Sequence, residues 1–245
     1  MKNIIYINAL IALMLFTGCS KNDDNQSSTI SQKDALIAIY NANPANTLTW
    51  DITSNNLGTW ENVTINDENK VIGLNLIDKG LTNIPSEIGA LTEMTFLELR
   101  SNSITSLPNS IDRLDKLSYL GLNNNQLTSL PSTIGGMDML DRLFAYSNNI
   151  TNIPNEIAQI TTLERLELGA NDIENIPTVL GQLVNLEYLS FYSNNISIVP
   201  NQLSSLTNLT TLDFSLNDIT TIPSVVCDLE LSGTTIIIDP GVTCN

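Results

Sequence analysis

The sequence predicts an α/β solenoid: a curved parallel β-sheet on the concave face, an irregular or short-helical convex face, and a cap at each end. Three observations carry this. From Val71 to Leu229 the chain repeats every 23 residues in seven units, which begin at Val71, Met94, Leu117, Leu140, Leu163, Leu186 and Leu209. Seven of the nine prolines (Pro85, Pro108, Pro131, Pro154, Pro177, Pro200 and Pro223) occupy one phase of that repeat. A second phase holds Asn102, Asn125, Asn148, Asn171, Asn194 and Asn217, and only the first unit departs there, with Lys79.

Each unit follows LxxLxLxxNxLxxLPxxIxxLxx, and each fixed position has a physical reason. In the LxLx stretch apolar residues alternate with period two, so it is a short strand with leucines inward and their neighbours outward. The next strand comes one repeat later, which is a crossover connection, so the strands run parallel. The asparagine ends the strand, where its amide can bond turn amides and carbonyls that would otherwise be buried and unsatisfied. Proline holds the returning segment extended, and the following IxxL adds two apolar residues to the core. No unit buries its apolar face alone, so the units must stack. On these residues the chain resembles the leucine-rich repeat family over about two thirds of its length.

A stack needs ends. Residues 31–70 are expected to form an N-terminal cap. SQKDALIAIYNANP has helical apolar spacing, with Ser31 or Asp34 suited to the first turn. Trp50, Trp60 and Val63 resemble the cap of plant-type leucine-rich repeat proteins, without the cysteines often found there. Covering the core is the expected role of the two tryptophans, and a binding role is the rival. The repeats occupy 71–230 and a C-terminal cap 231–245, where TTIIID followed by Pro240 and Gly241 reads as a last strand and turn. Cys227 and Cys244 form an even pair once Cys19 is set aside, which predicts a disulfide in an oxidising compartment. A thiol metal site is the rival reading, and two cysteines without a histidine speak against it.

The first 18 residues read as a secretory leader. Lys2 precedes an apolar stretch, Ile4 to Thr17, interrupted only by Asn8 and too short to span a bilayer. The following LFTGC resembles a bacterial lipobox, with Phe16 where leucine is usual, which implies lipidation of Cys19. A cleaved leader with an incidental cysteine is the alternative. Ser20 lacks the aspartate of an inner-membrane retention signal, and SKNDD looks like a surface-export tag. Residues 19–30 are then a lipidated cysteine and flexible tether, and the chain as a whole resembles a bacterial leucine-rich repeat lipoprotein. The expected location is the outer membrane, facing the cell surface, with a periplasm-facing structural or assembly role as the alternative.

Composition excludes several functions. The chain contains no histidine, which removes the commonest general base and metal ligand together. No nucleophile with a base, phosphate loop or metal cluster is apparent, so the chain reads as a non-enzyme without cofactor. Without the leader and its Lys2, nine basic face 26 acidic side chains, a balance of −17. Nucleic acid is therefore an unfavourable partner.

Function must lie in the outward strand positions, which fall in three columns. The first contains Gly73, Phe96, Tyr119, Arg142, Arg165, Tyr188 and Thr211; the second Asn75, Glu98, Gly121, Phe144, Glu167, Ser190 and Asp213; the third Ile77, Arg100, Asn123, Tyr146, Gly169, Tyr192 and Ser215. These 21 positions contain six of the chain's 13 aromatics and three of its four arginines. Phe191 and Phe214 take the inward phase and belong to the core. Tyrosine and arginine dominate binding hot spots. Phe96, Arg100, Tyr119, Arg142, Phe144, Tyr146, Arg165, Glu167, Tyr188 and Tyr192 are therefore the candidate contact residues for a protein or peptide partner. Arg142 and Arg165 read as a positive island suited to an acidic segment, with Glu167 setting register. Two alternatives stand beside this. The stacked side chains could merely brace the sheet, although bracing does not need arginine. Exposed rings flanked by Glu98, Asn123 and Glu167 could instead hold a glycan. The chain is expected to act as a monomer.

Overall fold

The computed structural model describes residues 30–245. The leader, Cys19 and the tether up to residue 29 lie outside the described residues. Among the described residues eleven strands form: β1 Val63–Ile65, β2 Val71–Asn75, β3 Phe96–Glu98, β4 Tyr119–Gly121, β5 Arg142–Phe144, β6 Arg165–Glu167, β7 Tyr188–Ser190, β8 Thr211–Asp213, β9 Thr221–Ile222, β10 Thr235–Ile237 and β11 Thr243–Cys244. Nine of them make one sheet in the order β1-β2-β3-β4-β5-β6-β7-β8-β10. All its pairings are parallel except β1 with β2, where the cap adds an antiparallel strand. The register never slips along the repeats: Phe96 pairs with Tyr119, Tyr119 with Arg142, Arg142 with Arg165 and Arg165 with Tyr188. Each outward column is thus a straight row across the sheet.

The repeat positions explain this regularity. Leu97, Leu120, Leu143, Leu166, Leu189 and Leu212 are fully buried beneath the strands. On the opposite side, each of Pro85, Pro108, Pro131, Pro154, Pro177 and Pro200 is extended and opens a five-residue 3-10 turn. The proline carbonyl accepts the first turn bond, as in Pro154 O from Ile157 N at 3.2 Å. That turn buries Ile88, Ile111, Ile134, Ile157, Leu180 or Leu203 against the strand leucines. A single continuous apolar core runs the length of the stack, and Phe191 and Phe214 stack inside it with ring centroids 6.0 Å apart.

The asparagine ladder performs the role expected of it. Asn125 Nδ2 donates to Leu99 O and Leu122 O, both at 3.0 Å, while its Oδ1 accepts from Ile104 N at 3.0 Å. Asn148, Asn171 and Asn194 repeat the pattern one unit at a time. Immediately before each ladder position one residue takes a left-handed backbone: Asp78, Ser101, Asn124, Ser147, Ala170, Ser193 and Leu216, with φ between 50° and 60°. Non-glycine residues disfavour that region by roughly 1–2 kcal/mol, so packing of the stack imposes the turn. Lys79, the odd residue of the ladder, instead pairs its Nζ with Glu61 of the cap at 2.7 Å.

Both caps close the core. Helix α1, Gln32–Ala42, starts at Ser31, whose Oγ accepts from Asp34 N at 3.1 Å. It buries Ala35, Leu36 and Ile39. Asn43 at its end is 1% exposed; its Nδ2 donates to Asn83 O, and its Oδ1 accepts from Thr82 N and Asn83 N. Trp50 and Trp60 are buried with centroids 5.2 Å apart, which assigns them to the core and removes them from the binding candidates. At the other end β10 extends the sheet, and β11 pairs with β9 in a second, two-stranded sheet. Cys227 and Cys244 are joined in a disulfide that ties β11 to the short helix α2, Ser224–Cys227.

Candidate functional site

The concave columns do not form a uniform exposed face. Along repeats two to six the side chains of the first two columns interlock. Phe96 stacks on Tyr119 with centroids 4.6 Å apart, and Tyr119 meets Phe144 at 5.1 Å. The Arg165 guanidinium lies between two rings, 5.7 Å from the Phe144 centroid and 3.8 Å from that of Tyr188. Contacts of this kind contribute about 0.5–1.5 kcal/mol each. All five side chains are half-buried.

Acidic groups complete the ladder. Glu98 is buried at 6% exposure; its Oε2 accepts the Tyr119 hydroxyl at 2.8 Å and its Oε1 accepts Arg100 N at 3.0 Å. Burial first, and the Glu98 carboxylate second, push the Tyr119 phenol up to about 12. Tyr188 is raised for the same leading reason, with Glu167 the next cause. Arg165 Nε donates to Glu167 Oε1 at 2.7 Å.

These contacts correct two expectations. Arg165 is not a free charge: Glu167 neutralises it and two rings cover it, so the positive island reduces to Arg142. That side chain is 54% exposed, with Nε 3.4 Å from Asp141 Oδ1. The acids expected to flank a bound sugar are also engaged, Glu98 by Tyr119 and Glu167 by Arg165. Asn123 Oδ1 accepts Tyr146 N at 2.8 Å. The column assignment overreached in another way, since Glu98, Gly121, Gly169 and Ser190 are buried under their neighbours.

What stays open lies mostly in the third column. Arg100 is exposed, Tyr146 is 38% exposed, and Tyr192 is half-buried. The Tyr146 ring leans over Gly169, where an added Cβ would stand 3.0 Å from Tyr146 Cδ2. Of the ten candidate contact residues, the structure therefore assigns Phe96, Tyr119, Phe144, Arg165, Glu167 and Tyr188 to a pre-ordered floor. Arg100, Arg142 and Tyr146 project from it, and Tyr192 is half-buried beside them without a ring or ion partner among the described residues. Sequence reasoning passed over one row, the residue after each unit's first apolar position. It reads Ile72, Thr95, Ser118, Asp141, Glu164, Glu187 and Thr210, and the three consecutive acids were its visible signal.

Among the described residues no group of side chains has metal-ligand geometry, and no helix is long and apolar enough to cross a membrane. Family models for a leucine-rich repeat region match residues 72–175 and 110–216, and one for a leucine-rich repeat matches 208–229. No curated protein matches the chain. Among solved structures, the ectodomain of the Arabidopsis thaliana receptor kinase GASSHO1, in complex with Casparian strip integrity factor 2, aligns at TM-score 0.59 and 22% identity over 85% of this chain. The Arabidopsis receptor kinase HAESA, in complex with the peptide hormone IDA and the co-receptor SERK1, aligns at 0.62 and 25% over 86%. A plant peptide hormone receptor, RGFR1 in complex with RGF2, aligns at 0.62 and 25% over 76%. The chain spans 35%, 42% and 37% of those three chains.

Proposed function

The chain belongs to the leucine-rich repeat family, and on that premise we propose that it is a non-enzymatic binding module holding a protein or peptide partner on its concave sheet. The observation that carries the reading is the split within that face. A floor of interlocked rings is already ordered, Arg100, Arg142 and Tyr146 stand out from it, and Tyr192 lies half-buried beside them. Side chains fixed before binding lose little freedom on binding, which favours affinity. The peptide complexes of the aligned plant receptors support a peptide as occupant.

The module acts as a monomer, anchored to the outer membrane through lipid on Cys19 and displayed at the cell surface. The lipobox-like LFTGC carries that part. Cys19→Ala should abolish labelling by a fatty-acid analogue and release the chain from membranes; unchanged labelling refutes the anchor. Protease accessibility in whole cells tests the orientation.

Binding to a partner captured by the full chain tests the face itself. Tyr146→Ala and Tyr192→Ala should each weaken binding by about 1–3 kcal/mol. The convex pair Asn155→Ala with Asn201→Ala should leave it unchanged. Equal affinity of folded concave and convex variants moves the site off the sheet.

A further inference from the structure

The rim of the sheet carries a charge pattern that the three columns leave unexplained. Asp141, Glu164 and Glu187 occupy equivalent positions in three consecutive units, and their backbones are bonded rung to rung. Glu164 N donates to Asp141 O at 2.9 Å and Glu187 N to Glu164 O at 2.8 Å. Neighbouring strands lie about 4.8 Å apart, so three carboxylates stand within roughly 10 Å, where like charges repel. Glu164 and Glu187 are exposed and form no ion pair among the described residues. Asp141 has Arg142 at 3.4 Å, and its buried Oδ1 accepts no hydrogen bond. The three acids line one shallow groove with Met139, which is 58% exposed.

The groove borders the sheet face directly, because each acid is followed by a first-column residue: Arg142, Arg165 and Tyr188. Of these, Arg165 is already neutralised by Glu167, so it offers nothing to the rim. Asp141 likewise offsets Arg142, so Glu164 and Glu187, beside the half-buried rings of Tyr188 and Tyr192, are left without a cation among the described residues, on a chain that is acidic overall. Their electrostatic complement is a cation with apolar neighbours.

We infer that the partner on the concave sheet is a cationic, extended peptide segment. Its Lys or Arg side chains sit on the rim at Glu164 and Glu187, and its apolar side chains sit on Tyr192 and on the part of Tyr188 that Arg165 leaves open. This rests on the concave-face reading above and replaces the acidic segment that the two arginines had implied. In an extended segment alternate side chains point to opposite sides, so one set can face the rim and the other the rings.

Short synthetic peptides that alternate Phe with Lys, Ser or Glu provide the probe, measured against the full chain at low and high salt. The Lys peptide is expected to bind and the other two are not. Glu164→Gln with Glu187→Gln should weaken Lys-peptide binding about tenfold at low ionic strength and less at high. Glu87→Gln with Glu156→Gln removes the same charge from the convex turns and should leave binding unchanged. Tyr188→Ala with Tyr192→Ala should weaken it too. Tyr192→Ala alone serves if the pair fails to fold by circular dichroism. Preference for the Glu peptide, lost in the tyrosine variant, overturns the cationic partner and leaves the concave face standing. Full binding in the tyrosine variant overturns both. Equal weakening by the convex pair means attraction to net charge alone and overturns the inference. Absence of Lys-peptide binding overturns it as well.

Discussion

Tyr119 donates its hydroxyl to Glu98 Oε2 at 2.8 Å across two neighbouring strands, and the carboxylate so held lies over Gly121. A Cβ at position 121 would collide with that carboxylate. Gly121→Ala should therefore eject Glu98 from its bonds with Tyr119 and Arg100 N, at a cost of about 1–3 kcal/mol. In a Glu98→Ala background the same change should cost far less. Denaturant unfolding of the double-mutant cycle measures the coupling, and additive effects would contradict the arrangement.

The same pair gives a pH dependence. Tyr119 has its phenol raised from 10.0 to about 12, by burial first and by Glu98 next. The unfolded chain therefore loses this proton earlier than the folded one. The contribution to stability is complete below pH 10 and declines as pH rises toward 12. Ultraviolet titration should show Tyr119 among the late-ionising tyrosines, with Tyr188 also raised, and Glu98→Gln should bring Tyr119 earlier.

The cap has the opposite sign. Lys79, by its hydrogen bond first and with help from Thr49, lowers Glu61 from 4.5 to about 2. A depressed carboxylate contributes stability above its unfolded value, and that contribution is lost as pH falls from 4.5 toward 2. Carboxylate chemical shifts should place the Glu61 midpoint near 2 in the native chain. In Lys79→Met the midpoint should move up. The pair is partly exposed, and salt weakens such pairs, so the shift should shrink at high ionic strength.

Within the ladder, Asn148 is 8% exposed; it donates to Leu122 O at 3.0 Å and accepts from Leu127 N at 3.0 Å. Asn148→Ala leaves buried backbone groups without partners, at about 1–3 kcal/mol for each. Because each unit is held by its neighbours, hydrogen exchange should accelerate first in the units around residue 148. Uniform acceleration along the stack would argue against that locality.

The C-terminal disulfide closes a loop with a sequence separation of 17, worth about 3 kcal/mol in the chain-entropy estimate. Reduction should loosen β11 and the last unit before the rest of the sheet, because β11 has only two residues paired to β9. Amide exchange with and without reductant reads this directly. Equal protection in both states would show that packing alone holds the cap.

The stack was legible before any coordinates: its period, its strand register, the inward leucines, the asparagine ladder and the pairing of Cys227 with Cys244. All of these except the cysteine pairing, which parity indicated, recur from unit to unit, and a position used again and again for one physical reason is visible without coordinates. Lys79 was visible as a departure, but its reason was not, since its partner Glu61 lies in the cap and outside the repeat. The left-handed turns were hidden as well, because Ala170 and Leu216 carry no local preference for them and only the neighbouring coils impose them. Tertiary structure alone decided which concave residues are floor and which stand free. Alternation says that Glu98, Arg165 and Tyr146 all point outward. It cannot say that Glu98 folds over Gly121, that Arg165 is enclosed by rings and Glu167, or that Tyr146 leans across Gly169. Apart from the Arg165–Glu167 pair, which lies within one strand, those outcomes depend on side-chain size and charge one strand away, about one repeat distant in the chain and adjacent only once the solenoid has formed.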